Sequence, residues 1–334
     1  MPIKIAINGF GRIGRCAFKI MLENPEIQIV AINDLGSIEN LAYLLKYDSA
    51  YGIYNKNVSF DESNILVEGK PYKVLSQKDP LQLPWKEMEV DVVLECTGFF
   101  VKDNSSQAHI EAGANAVVLS APAKGELNTI KTFLKGVNHK NLSDEKIISN
   151  ASCTTNCIAP VVEIVNRNFK ILKSLMTTVH SYTASQNIVD GPNKDFREGR
   201  AGAVNMVPTS TGAAISTTQV IPELKGLFDG ISIRVPTIVG SLSDITFVVQ
   251  NKTTVEQINQ VFVNESKSER YMDILGVTNE QLVSSDIIGS KFSAIVDLSL
   301  TRVIDGDLVK ILAWYDNEWG YSNRLVEMAL FVSK

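Results

Sequence analysis

A glycine-rich turn near the amino terminus constrains this chain more than any other segment. Ile3-Lys4-Ile5-Ala6-Ile7 is a β-branched run that stops at Asn8-Gly9, the pattern of a buried parallel strand. Gly9-Phe10-Gly11-Arg12-Ile13-Gly14 follows at once. From Arg12 to Asn24 apolar residues recur at Ile13, Ala17, Ile20 and Met21, a helical spacing that Pro25 ends. Ile27 to Ile32 is a second strand, closing on Asn33-Asp34. Strand, turn, helix and strand within about thirty residues make one βαβ unit with a right-handed crossover. A lone G-x-G-x-x-G is weak, but here it joins a strand to a helix, and Asp34 stands twenty residues beyond Gly14. Gly9 permits the tight turn, Gly11 lets backbone approach a pyrophosphate, and Gly14 brings helix and strand together. The helix N-terminus attracts the phosphate charge. Asp34 accepts hydrogen bonds from both hydroxyls of an adenosine ribose and would repel a 2′-phosphate, and no Lys or Arg follows it until Lys46. The reading is NAD. A P-loop is excluded, because Arg15-Cys16 stands where a Lys-Ser/Thr pair is needed.

The strand pattern resumes at Val90–Leu94, with a helix predicted over 104–112 and further strands at 116–120 and 146–149. Such alternation argues for a parallel sheet covered on both faces. Beyond residue 150 the texture changes. A helix is predicted from Thr154 to Asn168, then long alternating runs at 171–180, 231–235, 245–250 and 308–314. The fold class is therefore α/β: a Rossmann-type parallel-sheet domain over residues 1–151, and an α+β catalytic domain with a mostly antiparallel sheet over 152–317. A terminal helix, 318–334, is expected to pack back onto the first domain. Residues 181–212 show neither period, and a structureless stretch of that length reads as functional.

Lys plus Arg number 32 against 37 acids, a net charge of −5, with no basic stripe, so nucleic acid is not an expected partner. The longest uncharged run, Ala201 to Pro222, is full of Thr, Ser, Asn, Gln, Gly and Pro, so no membrane span is expected either. Four cysteines without a C-x-x-C pair, and no secretory apolar segment at the N-terminus, point to a reducing cytoplasm.

Ser149-Asn150-Ala151-Ser152-Cys153-Thr154-Thr155-Asn156-Cys157 lies at a strand-to-helix junction. Small polar neighbours and a helix N-terminus suit Cys153 as a nucleophile with a lowered thiol pKa. Cys157, one turn on, reads as a packed bystander, and Cys16 and Cys96 read as structural. Of three histidines, His109 and His139 read as surface groups, whereas His180 ends a strand and is the candidate base for Cys153. No Cys/His spacing suits a metal, and no G-x-S-x-G occurs. Hydroxyls and backbone donors at Ser152, Thr154, Thr183, Thr211 and Gly212, together with Arg234, complete an anion-binding set.

These residues make the chain resemble the glyceraldehyde-3-phosphate dehydrogenase family, from Ile5-Ala6-Ile7-Asn8-Gly9-Phe10-Gly11 to Trp314-Tyr315-Asp316-Asn317-Glu318-Trp319-Gly320. Ser-Asn-Ala-Ser-Cys-Thr-Thr-Asn at 149–156, His-Ser-Tyr-Thr at 180–183 and Pro-Thr-Ser-Thr-Gly-Ala-Ala at 208–214 carry the match. The resemblance implies phosphorylating, NAD-dependent oxidation of glyceraldehyde 3-phosphate. Cys153 would form a hemithioacetal with His180 taking the proton; hydride transfer to the nicotinamide leaves a thioester, which inorganic phosphate cleaves. By the same match Thr183 and Arg234 would hold the substrate phosphate, and Ser152, Thr154, Thr211 and Gly212 the attacking phosphate. Asn317 would orient the nicotinamide carboxamide with Tyr321 nearby, and Arg12, Ile13, Asp34, Lys78, Thr97, Gly98 and Ser120 would line the remaining groove. The family is usually homotetrameric, with the 181–212 loop reaching toward a neighbour.

Two positions depart from the pattern. Glu198 stands where many bacterial relatives carry an arginine, and Cys96 where serine is common; Leu35 and Gly191-Pro192 follow the NAD-using members. The alternative enzyme is an erythrose-4-phosphate dehydrogenase. A different class of reading is a redox-sensing NAD-binding protein in which Cys153 signals by oxidation.

Overall fold

The strand Ile3–Asn8 lies inside a nine-stranded sheet, as its unbroken apolar run demands. The computed structural model describes residues 1–334. Contacts divide the chain into two units: residues 1–133, 140–151 and 322–334 form the first, and residues 134–139 and 152–321 the second.

In the first unit the strands run in the order Lys131–Thr132, Ile147–Ser149, Ala116–Leu119, Val92–Glu95, Ile3–Asn8, Ile27–Asn33, Lys70–Leu75, Asn64–Val67 and Val58–Phe60. Pairing is parallel up to Lys70–Leu75; the last three strands form an antiparallel meander that apolar periodicity did not reveal. The helix Arg12–Leu22 crosses between the first two strands and buries Cys16, Ala17, Phe18 and Met21. Behind the sheet Ala6, Ala31, Trp85, Val93 and Val117 share one core cluster. The carboxyl ends of Ile3–Asn8, Ile27–Asn33 and Val92–Glu95 come level, with Asn8 opposite both Asn33 and Glu95. Crevices at such strand ends are where ligands bind in open parallel sheets.

The second unit is built on an eight-stranded sheet, ordered Val207–Ser210, Phe228–Val235, Ile171–Ser181, Ser241–Val249, Leu308–Tyr315, Ala294–Asp297 and Leu275–Thr278, with Arg302–Ile304 on the edge of Leu308–Tyr315. Ile171–Ser181 with Phe228–Val235, and Leu275–Thr278 with Ala294–Asp297, run parallel; the other pairs are antiparallel. Ser241–Val249 alternates strictly between buried and half-buried residues, so one face is core. The helix Cys153–Phe169 covers that face: Cys157, Ile158, Val161, Val162 and Val165 are fully buried. The 181–212 segment is mostly turns, but its end forms the strand Val207–Ser210. The terminal helix runs Trp319–Val332.

Candidate active site

Gly9 has φ +95°, and a Cβ there would come within 2.7 Å of the Thr97 nitrogen. At Gly14 a Cβ would stand 2.2 Å from the Gly9 carbonyl oxygen, so any larger residue pushes helix and strand apart. Gly11 caps the helix with no side-chain bond and no acid in the first turn, which leaves the positive end of the dipole uncompensated. Beside this turn lies a cavity of about 830 Å³, lined among others by Gly9, Gly11, Asp34, Lys78 and Thr97. Asp34 is aimed by two backbone donors, Phe10 N–H at 2.7 Å and Gly36 N–H at 2.8 Å. Shape, dipole and fixed carboxylate together fit a dinucleotide.

Not every expected groove residue faces this cavity. The Arg12 guanidinium turns to Asp48, 2.6 Å away, and lies over the Tyr51 ring. Burial works against the Asp48 carboxylate, but the Arg12 bond and charge together with the Ala50 and Tyr51 N–H donors outweigh it and hold its pKa below the usual range. Arg12 and Ile13 therefore leave only their backbone for a phosphate. Gly98 is exposed at φ +72°, and Ser120 donates its N–H to the Glu95 carbonyl at 2.9 Å. Cys96, expected in the core, lines the cavity instead, with burial and the neighbouring Glu95 pushing its thiol pKa far up.

Under the cavity runs a polar belt that sequence patterning missed. Glu95 accepts from Asn8 Nδ2 at 2.6 Å, from Thr97 N–H at 2.8 Å, from the Thr97 hydroxyl, and from His109 Nε2 at 3.0 Å. Asn8 Oδ1 in turn accepts from Asn33 Nδ2, and Asn33 is bonded both ways to the Gln77 backbone. His109 is not a surface group: it is 0% exposed, because Trp85 donates its indole N–H to Nδ1 at 3.0 Å. An acid closing the apolar run Val92-Val93-Leu94 was the available signal. His139 is half-buried and accepts from the Gly136 N–H.

In the second unit Ser152 caps the helix Cys153–Phe169, its hydroxyl accepting from Thr155 N–H at 3.1 Å. Cys153 opens that helix, and its Sγ lies 3.4 Å from His180 Nε2. His180 Nδ1 is 2.7 Å from the Ser181 carbonyl, which only accepts, so the ring proton is assigned to Nδ1 and Nε2 is left as the base. Register places Arg234 level with His180 on the adjacent strand. The Arg234 Nε is buried without a protein partner, a poised anion-binding group.

Burial pushes the Cys153 thiol pKa up, against the pull of Arg234 and the helix-terminal N–H groups; it takes His180 down to about 3, with Arg234 adding to the effect. This corrects the expectation of a lowered thiol. The 3.4 Å approach of Sγ to Nε2 aligns the pair for proton transfer during attack. Cys157 is fully buried with its thiol pKa pushed up by burial, as a bystander should be.

The remaining predicted residues divide. The Thr154 hydroxyl is committed to Tyr315 Oη at 2.9 Å, which also meets Thr178 at 2.8 Å. Thr183 and Thr211 sit on the flanking turns, their hydroxyls bonded to the Ser185 hydroxyl and the Ala213 N–H, and Gly212 caps Ala213–Val220. Asn317 is buried with Oδ1 turned to Ser241 and Gly240, and Tyr321 is buried in the same unit. Glu198 is half-buried; of its flanking arginines, Arg200 pairs with Asp190 at 2.6 Å.

Comparison with known proteins matches this arrangement domain by domain. The model for the NAD binding domain of glyceraldehyde 3-phosphate dehydrogenase matches residues 3–103, and that for its C-terminal domain matches residues 152–317. The chain belongs to the glyceraldehyde-3-phosphate dehydrogenase family. Its relatives include glyceraldehyde-3-phosphate dehydrogenases of Streptomyces coelicolor, 49% identical over 99% of both chains, and of Zymomonas mobilis, 48% identical over 100% of this chain and 99% of that one. Glyceraldehyde-3-phosphate dehydrogenase 1 of Bacillus subtilis is 46% identical over 100% of this chain and 99% of its own length. As in the family, the cofactor is NAD and the chemistry that of an oxidoreductase.

Proposed function

We propose that this chain oxidises and phosphorylates D-glyceraldehyde 3-phosphate to 1,3-bisphosphoglycerate, as a cytoplasmic enzyme of glycolysis and gluconeogenesis. The observation that carries the reading is the Cys153–His180 pair, with its free Nε2 facing the thiol and an unpartnered Arg234 beside it. Cys153 Sγ bonds the aldehyde carbon while His180 Nε2 receives the thiol proton and returns it to the carbonyl oxygen, giving a hemithioacetal. NAD, held by Gly9, Gly11, Gly14, Asp34, Lys78 and Thr97, supplies the two-electron acceptor when bound. His180 then takes the hemithioacetal hydroxyl proton as the carbon becomes a thioester of Cys153. Inorganic phosphate attacks that carbonyl, the carbon–sulfur bond breaks, and the acyl phosphate leaves.

Arg234 and Thr183 hold the substrate phosphate, and Ser152, Thr154, Thr211 and Gly212 receive the attacking phosphate, Thr154 through its backbone. Asn317 orients the nicotinamide carboxamide, with Tyr321 behind it. The subunits form a homotetramer. In support, Leu175, Ile215 and Leu308 line one surface groove and are 37–68% exposed, apolar side chains grouped as at an interface. Leu175→Glu should lower the mass measured by light scattering.

The deciding experiment follows NADH absorbance with glyceraldehyde 3-phosphate and NAD, with and without inorganic phosphate. A rise that needs phosphate for sustained turnover supports both the redox and the acyl-phosphate steps. No rise, or a higher kcat/KM for erythrose 4-phosphate, would overturn the reading.

A further inference from the structure

One buried hydroxyl lies between Asn317 and Ser181, the residue after His180. Ser241, first residue of the strand Ser241–Val249, is 1% exposed. Its Oγ accepts the N–H of Ser181 at 3.2 Å and donates to Asn317 Oδ1 at 3.0 Å. Ser181 is the residue whose carbonyl fixes the His180 ring. Gly240 N–H also points at the Asn317 amide, 3.2 Å away. A backbone N–H can only donate, so the atom facing it is Oδ1, and the two N–H bonds of Nδ2 face the opposite way.

The hydrogen-bond inventory gives Ser241 one competitor at Asn317 Oδ1, the Ser181 hydroxyl at 3.3 Å. Oδ1 has two lone pairs, and Ser241 at 3.0 Å and Gly240 at 3.2 Å are the nearer donors. The Ser181 hydroxyl, with one proton, has the Gly240 carbonyl at 3.2 Å and accepts from Thr237 Oγ1 at 3.3 Å. The site of Ser241 is itself pinned: Gly240 has φ +94°, and a Cβ there would lie 2.3 Å from the Ser284 carbonyl oxygen.

We propose that Ser241 is a positioning residue that ties the base His180 to the amide of Asn317, so that neither turns without the other. The proposal rests on the reading of His180 as base and Asn317 as a cofactor contact. Through Ser181 the hydroxyl sets the direction of Nε2 toward Cys153; through Oδ1 it sets the direction of the outward Nδ2 donors. No bond forms or breaks at Ser241.

The test uses the full chain with Ser241→Ala, and two readouts that need no turnover: NAD affinity by calorimetry, and the rate of Cys153 alkylation by iodoacetamide without NAD. Ser241→Ala should weaken NAD about tenfold and change the alkylation rate several-fold. Asn317→Ala should weaken NAD and leave alkylation alone. Ser174→Ala, which removes a buried hydroxyl bond to the Thr246 carbonyl in the same sheet, should alter melting temperature but neither readout. Where turnover is measured, the KM for NAD should rise and that for glyceraldehyde 3-phosphate should not. If Ser241→Ala moves only one readout, or neither, the coupling is wrong. Should that variant fail to fold, Ser241→Cys, similar in size with a weak donor, must move both in the same direction; unchanged values overturn the proposal. An unmodified chain that binds NAD and alkylates but makes no NADH would strike the proposed function alone.

Discussion

His109, in the NAD-binding unit, receives the Trp85 indole proton at Nδ1 and hands its own Nε2 proton to Glu95. His180, in the second unit, gives its Nδ1 proton to the Ser181 carbonyl and turns a bare Nε2 to Cys153. Both rings are almost wholly buried, at 0% and 4% exposure, so burial does not separate their roles. The partner at Nδ1 does. A carbonyl accepts from imidazole and imidazolium alike, so His180 can take a proton and keep that bond. An indole N–H can be met only by a bare nitrogen, so His109 is held with Nδ1 as acceptor and Nε2 as donor to Glu95. One ring is built to cycle and the other to stay.

The largest test of that contrast removes what His180 serves. Cys153→Ser should drop turnover to below about 10⁻⁴ of the parent while calorimetry shows NAD binding unchanged; a variant that keeps full activity would mean the pair is not the engine. Next, the two histidines should fail differently. His180→Asn should lower kcat by about 10²–10⁴ with little loss of stability. His109→Phe strands Glu95 and Trp85, so it should cost about 3 kcal/mol in denaturant titrations and leave the kcat of the folded fraction within a few-fold. Swapped outcomes would invert the assignment.

A third effect follows from linkage. His180 in the folded chain falls from 6.5 to about 3, so the unfolded chain binds the extra proton across that interval. Its contribution is present above pH 6.5 and lost as pH falls toward 3, by at most about 1.4 kcal/mol per pH unit. As pH falls through that window the parent should lose stability relative to His180→Asn, which has no such proton to bind; a constant difference would mean that the ring is not desolvated. At the alkaline end, the raised Cys153 thiol predicts alkylation that accelerates only above the ordinary cysteine value of 9.0. The smallest effect concerns Trp85→Phe, which should cost about 1–3 kcal/mol and, by nitrogen NMR, show His109 Nδ1 no longer accepting.

Legibility followed range along the chain. Gly9, Gly11, Gly14 and Asp34 were readable because turn, helix start and strand end are local features with fixed spacing. Cys153 was readable from its small polar neighbours at a strand-to-helix junction, and His180 from its place at a strand end. The pairing of the Arg12 guanidinium with Asp48 was not readable, because Asp48 is distant along the chain. His109 was misread because a five-residue helix, Gln107–Glu111, carries too little periodicity to show which face is covered. Ser181 and Ser241 look like ordinary serines until two strands bring them beside Asn317.

By itself, then, the sequence determined the βαβ unit with its glycine turn and acid, the change to longer strands after residue 150, and the kinds of side chain available for acyl chemistry. Periodicity and backbone sterics act over a few residues and need no partner. Only the tertiary structure decided the proton states. Burial pushes the Cys153 thiol pKa up against the pull of the helix terminus, and each histidine's tautomer follows from a group brought to it by the fold. Desolvation and hydrogen-bond inventories belong to the packed molecule, and no local spacing encodes them.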